Sequence, residues 1–285
     1  MMDALRLPFF QVAALAALVL AGIHAYLGFH IVRRGVLFVD LALAQMAALG
    51  MAIGLALGHE HDEAGSYMLA LGMTFVGAAL FAWLRGRSKQ VPLEAFIGIV
   101  FATAQAAVFL VLEKNPSGAE HLKETLVGSL FTVDPKHVLV IAGLYAAVGV
   151  VHFLLRKPFF EITNLGHETT VGRHVFAWDF LFYATFGLVV TSAVQIAGVL
   201  LVFGFLVIPA VAGLMASTRP GVALVIGWIF GFTASVLGLL GAVTLDMPAA
   251  PSILVTLTAM LVLHGVLVAI WKSRRRAARR TAAAA

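Results

Sequence analysis

The sequence predicts an all-α fold, a polytopic transmembrane helical bundle of eight or nine spans, and three observations carry that prediction. Of 285 residues, 61% are hydrophobic and 12% charged, where soluble domains carry roughly a quarter charged. Apolar runs of about twenty residues recur from end to end, each long enough to cross about 30 Å of hydrocarbon as a helix. Alternation at period two is absent, which argues against a lipid-facing barrel. Lipid satisfies no backbone polar group, so helices and closed barrels are the only alternatives.

The stretch Met1 to Pro8 lacks the basic start and small-residue cleavage pattern of a removed signal peptide, so the first apolar segment reads as a retained span. Segments near 9–31, 36–57, 66–84, 93–112, 138–155, 177–196, 198–216, 222–243 and 252–271 are each apolar enough to cross. Between the sixth and seventh, only Gln195, Ile196, Ala197 and Gly198 are there to make a turn. A turn there gives nine spans and a bend gives eight. A single transmembrane domain over 1–275 and a basic tail over 276–285 follow.

Alternate loops hold Arg33 and Arg34, then Arg85, Arg87 and Lys89, then Arg156, Lys157 and Arg173, then Arg219, then the tail from Lys272 to Arg280. The intervening loops, 58–63, 113–137 and 245–247, contain no arginine. Cytoplasmic loops retain positive charge, so this pattern predicts an N-terminus outside and a cytoplasmic C-terminus, with Arg6 alone disagreeing. It also explains the net charge of +5 without a nucleic-acid partner.

Two loops are more than turns. In 113–137 apolar residues recur at helical spacing after Asn115 and Pro116, predicting an amphipathic helix along the membrane surface. Residues 157–175 mix Glu161, Asn164, His167, Glu168 and Arg173 with Ile162, Leu165 and Val171, enough for a short helix that touches a partner, or for an ordinary solvated loop.

Charged groups inside a membrane are expensive, so Asp40, near one end of the second span, is a candidate functional residue, as is Gln45 near its middle. Asp40 also reads as an interfacial group pairing with Arg33 or Arg34. His24 in the first span is a candidate metal ligand or a hydrogen-bonded packing residue. The loop His59, Glu60, His61, Asp62 and Glu63 has the ligand types for a transient metal site and a negative field that concentrates cations, and reads equally as a solvated loop. Cysteine is absent, which excludes thiolate sites and disulfides. Gly50, Gly54 and Gly58, and later Gly227 and Gly231, have the spacing that lets helices pack closely in lipid. Pro209 within an apolar segment predicts a helix break.

Four stretches in order carry a resemblance: Val39 to Gly50 (VDLALAQMAALG), Glu94 to Phe101 (EAFIGIVF), Ser192 to Phe203 (SAVQIAGVLLVF) with Leu206 to Ala210 (LVIPA), and Asp246 to Ser252 (DMPAAPS). Together they resemble the permease family of zinc- and manganese-type ABC importers of the bacterial inner membrane. The resemblance implies a divalent metal ion as cargo and a second permease copy. It also implies two cytoplasmic ATPase subunits and a periplasmic metal-binding protein. Residues 158–174, with Glu161, Leu165, Glu168, Val171 and Arg173, would dock on the ATPase.

Relatives of this kind carry an Asp and a His one helical turn apart in the second span, where this chain has Leu41 and Gln45. Asp40 is displaced by one residue. Asp40 and Gln45 therefore lie about 140° apart around a helix and do not stack. Gln45 offers a neutral oxygen, which suits zinc poorly. The cargo then passes without a strong intramembrane site, draws ligands from elsewhere, or is not zinc. The chain has no phosphate-binding glycine loop, so ATP hydrolysis belongs to a partner. An ion-coupled secondary carrier is the alternative from another class, but it would place several acids or histidines in mid-span.

Overall fold

The computed structural model describes residues 6–59, 64–85, 87, 90–113, 128, 130–164 and 173–284, without side chains at 173–174 and 274–284. The described residues form helices and turns, with no strand among them. In order they are α1 (Pro8–Arg34), α2 (Val39–Ala56), α3 (Ala64–Leu84), α4 (Leu93–Leu112), a 3-10 turn (Leu130–Thr132), α5 (Pro135–Leu154), α6 (Arg156–Asn164), α7 (Arg173–Ala216), α8 (Pro220–Leu245) and α9 (Ala249–Ala284). All but α6 and the 3-10 turn are long and apolar enough to cross a membrane, giving eight candidate spans.

Local chemistry sets the helix ends. Pro8, Pro135 and Pro220 occupy first-turn positions, where the missing N–H costs nothing. The Asp134 carboxylate accepts from Lys136 N–H at 2.8 Å and caps α5. Gly35, at φ 66°, ends α1 in the left-handed conformation behind Arg33 and Arg34, whose charges suit a helix C-terminus. The tail continues α9 rather than forming a separate element, and Lys272 Nζ donates to Met215 O at 3.0 Å.

Residues 173–216 would make a straight helix of about 66 Å, twice the hydrocarbon thickness. Gly198 breaks it, with φ 73° and ψ 159°. The first arm runs from Asp179, beside Arg34 at the end of α1, to Gly198, which touches Gly128 close to the 3-10 turn. Phe131 of that turn packs edge-on against Phe9 at the start of α1, so this arm covers the length of α1. Beyond the break, Leu206 lies against Gly28 and Phe203 stacks on Phe38 just past the end of α1. The second arm therefore folds back along the bundle. Of the turn or bend left open at 195–198, the chain shows a break at Gly198 inside the one long helix that is counted once among the eight candidate spans. The break expected at Pro209 falls instead at Gly198, and Pro209 stays within the helix. Only a residue without Cβ holds Gly198's dihedrals at low cost.

α1 packs on α7 and α8, α2 on α3 and α4, and α9 on α7 and α8. Close backbone approaches set these contacts. Gly28 lies against the Leu206 carbonyl, and Gly50 and Gly54 seat α2 on Leu69, Ala70 and Ser66 of α3. Gly227 and Gly231 seat α8 on Pro209. Small residues permit the dense packing that drives association where lipid supplies no hydrophobic force. Side chains such as Leu110, Val140, Phe153 and Val262 are exposed on the bundle's outer face, where the solvent is hydrocarbon.

Candidate functional site

Buried charge concentrates at the arginine-rich end of the bundle, around α6. That helix starts one residue after α5 and is amphipathic: Phe159, Ile162 and Thr163 are buried, while Glu161 and Asn164 face outward. Thr163 Oγ1 donates to Phe159 O at 2.8 Å. Its lone pairs then accept from Arg34 Nε at 3.2 Å and from His30 Nδ1 at 2.7 Å, which satisfies the hydroxyl fully. Arg85 Nη2, from the end of α3, donates to Ile162 O at 3.0 Å, one of the terminal carbonyls that α6 leaves unpaired.

Behind α6, Arg34 Nη1 at 2.9 Å and Arg85 Nη1 at 2.5 Å share the Oδ1 atom of Asp179 on α7. All three residues are buried, Asp179 completely. Two cations against one carboxylate leave a net positive charge, and the Phe182 ring, 3.9 Å from the Arg34 guanidinium carbon, offsets part of it by cation–π attraction. A single polar network thus ties α1, α3 and α7 to the inner face of α6. It has no hydrolytic chemistry. What it can do is carry a displacement of α6 into three spanning helices.

Asp40 and Gln45 are both buried on α2, at 1% and 2% exposure. Asp40 sits in the first turn of α2, where the helix dipole favours a carboxylate, and among the described residues no side chain pairs with it. It does not pair with Arg34, which is committed to Asp179. Close by, Glu94 of α4 accepts from Phe38 N–H at 3.0 Å, so the turn between α1 and α2 is held by the first turn of α4.

His24 is fully buried on α1; its Nδ1 donates to Leu20 O at 2.7 Å, its Nε2 has no hydrogen-bond partner, and its ring meets Tyr145 edge-on. His59 is exposed past the end of α2. His61, Leu165, Glu168 and Val171 lie outside the described residues, as does the 114–127 segment expected to be amphipathic; Arg173 opens α7, its side chain outside them too. Among the described residues, no three His, Asp or Glu side chains are grouped to hold a metal ion. The network of Arg34, Arg85, Asp179, His30 and Thr163 is what sequence reasoning missed. The available signal was Asp179 itself, an acid inside an apolar segment.

Over residues 6–268 the chain matches the ABC 3 transport family. It is 27% identical over 274 residues to the probable iron transport system membrane protein of Haemophilus influenzae, covering 92% of each chain. It is 24% identical over 276 residues to the manganese transport system membrane protein MntC of Halalkalibacterium halodurans, covering 94% of this chain and 92% of that one. Among solved structures, PsaBC from Streptococcus pneumoniae in complex with Fab has a similar fold, with TM-score 0.75 and 21% identity over 92% of this chain and 93% of that one. With eight helices among the described residues long and apolar enough to cross a membrane, and a match along nearly its whole length, the chain is a multi-pass membrane protein belonging to the ABC 3 transport family.

Proposed function

We propose that the chain is the transmembrane subunit of an ATP-binding-cassette importer that moves a divalent metal ion, zinc or manganese, across the bacterial inner membrane. The observation that carries the reading is α6: a short amphipathic helix between two spans, locked by its inner face to α1, α3 and α7 and presenting Glu161 outward. Such a helix has the form of a lever for an ATPase docked at the arginine-rich end. The arginines in alternate loops support a cytoplasmic location for that end and an external N-terminus. A second permease copy, two ATPase subunits and a periplasmic metal-binding protein complete the assembly. The metal cargo draws support from the names of relatives, manganese for one and iron for another. Family membership speaks against an ion-coupled secondary carrier.

The test is reconstitution in vesicles with the partner ATPase and the metal-binding protein. Uptake of zinc or manganese is expected to need ATP, the ATPase and the binding protein together. If no divalent metal stimulates ATP hydrolysis in the complete assembly, the metal reading fails.

A further inference from the structure

Among the described residues, the bundle is not closed on the side where α1, α5 and α8 face outward. α5 packs on the core along one stripe, Val138, Ile141, Tyr145, Val148 and His152, with Tyr145 Oη donating to Val189 O at 3.3 Å and His152 Nε2 lying 2.8 Å from Thr185 Oγ1, and leaves its other face open. Between α5, α1 and α8 lies an open cavity of about 500 Å³ walled by Val19, Ile23, Gly149, Phe153, Leu224 and Trp228. That volume is within the range of sites that bury an organic ligand, about 300–1,000 Å³. A Cβ built at Gly149 meets no atom within 4 Å, so the slot runs unobstructed past α5.

Tyr145 and Trp228 in the lining donate to the Val189 and Gly22 carbonyls, and the other polar groups, Tyr26, His152 and Arg156, lie toward α6, of which Arg156 is the exposed first residue. Arg156 lies over the Phe153 ring at 4.6 Å and donates to Phe153 O at 3.3 Å, which uses one of its five donors. An apolar slot with a cation at its membrane-surface end has the chemistry of an amphiphile with a negative head. A second copy of this chain would bring more of the same charge to that end, with Arg33, Arg87 and Lys157 nearby in sequence to the helix ends there. Like charges in register repel. Water gains little from apolar walls.

We propose that this groove binds one anionic glycerophospholipid, an acyl chain lying between α1, α5 and α8 and the phosphate resting on Arg156. Basic pockets between spanning helices at an anionic membrane surface recognise lipid headgroups in this way. The lipid packs against the open face of α5 and rests its head on the first residue of α6. The proposal depends on the membrane placement of the chain and not on its cargo.

The test is native mass spectrometry of the purified complex, delipidated and titrated with phosphatidylglycerol or phosphatidylethanolamine of matched chains. Wild type is expected to retain one phosphatidylglycerol per copy in preference to phosphatidylethanolamine. Gly149→Leu fills the slot and is expected to lose that lipid whatever its head. Arg156→Gln is expected to keep a lipid but to lose about fivefold of the preference, the factor equivalent to about 1 kcal/mol for one basic residue at the surface. Gel filtration and Gly149→Ala control for folding. Unchanged stoichiometry and preference in both variants overturn the proposal. So does cross-linking of Trp228→Cys to a second copy, which would make the groove a protein interface.

Discussion

Arg34 and Asp179, 145 residues apart in sequence, meet at 2.9 Å inside the bundle and join the end of α1 to the beginning of α7. Arg85, from the end of α3, shares the same carboxylate oxygen. The carboxylate therefore bridges two buried guanidiniums. Replacing it by the isosteric amide removes the charge and leaves the cations facing each other. Asp179→Asn is expected to destabilise by about 3–5 kcal/mol, the usual cost of breaking a buried pair. Thermal melting in detergent measures it. A melting point equal to wild type would show that the triad carries no stability.

Thr163 tests coupling rather than folding. Thr163→Val keeps the shape and removes the acceptor for Arg34 Nε and His30 Nδ1. A lost partner for buried donors costs about 1–3 kcal/mol, spent here at the joint between α6 and the spans. In the reconstituted importer, more ATP is expected to be hydrolysed per ion moved, with the assembly intact. An unchanged ratio would make Thr163 a packing residue.

The spans were legible in the sequence because hydropathy alone defines them, and the short polar helix because its residues interrupt that pattern. The buried network was not. Arg34 and Arg85 look like loop charges, and their partner is 145 and 94 residues away, a separation to which no periodicity points. Asp179 carried the same signal as Asp40, an acid in apolar surroundings, and only the fold shows that Asp179 is paired while Asp40 is not. Pro209 was the conspicuous helix breaker, yet a proline within a long helix can be absorbed by packing. Gly198 has dihedrals that only the structure displays.

Close approach at Gly28 gives a prediction independent of charge. A Cβ there collides with the Leu206 carbonyl, backbone that cannot rotate away, whereas one at Gly149 meets nothing. Gly28→Ala is expected to cost about 1–3 kcal/mol, as overpacking does. Gly149→Ala is expected to be neutral or slightly stabilising, because alanine favours helix over glycine. Paired melting curves decide. Equal shifts for the two would mean that α1 and α7 do not meet as described.

Asp40 is buried without a side-chain partner, so Asp40→Asn breaks no ion pair and relieves the burial of an unpaired carboxylate, and stability is expected to hold or rise. If Asp40 faces the route of a cation, uptake falls while melting does not; if both hold, the residue only complements its helix N-terminus. Gln45 needs a different design, because a histidine placed there alone remains about 140° from Asp40 around the helix. Leu41→Asp combined with Gln45→His sets a carboxylate and an imidazole four residues apart, about 40° out of line and within reach of one ion. The double variant is expected to slow release and raise the apparent affinity for zinc over manganese, since imidazole suits zinc. Competition between the two metals in vesicle uptake measures this, and each single substitution should show little of it. If the double variant leaves the competition unchanged, α2 does not line the path, and the ion passes elsewhere in the bundle.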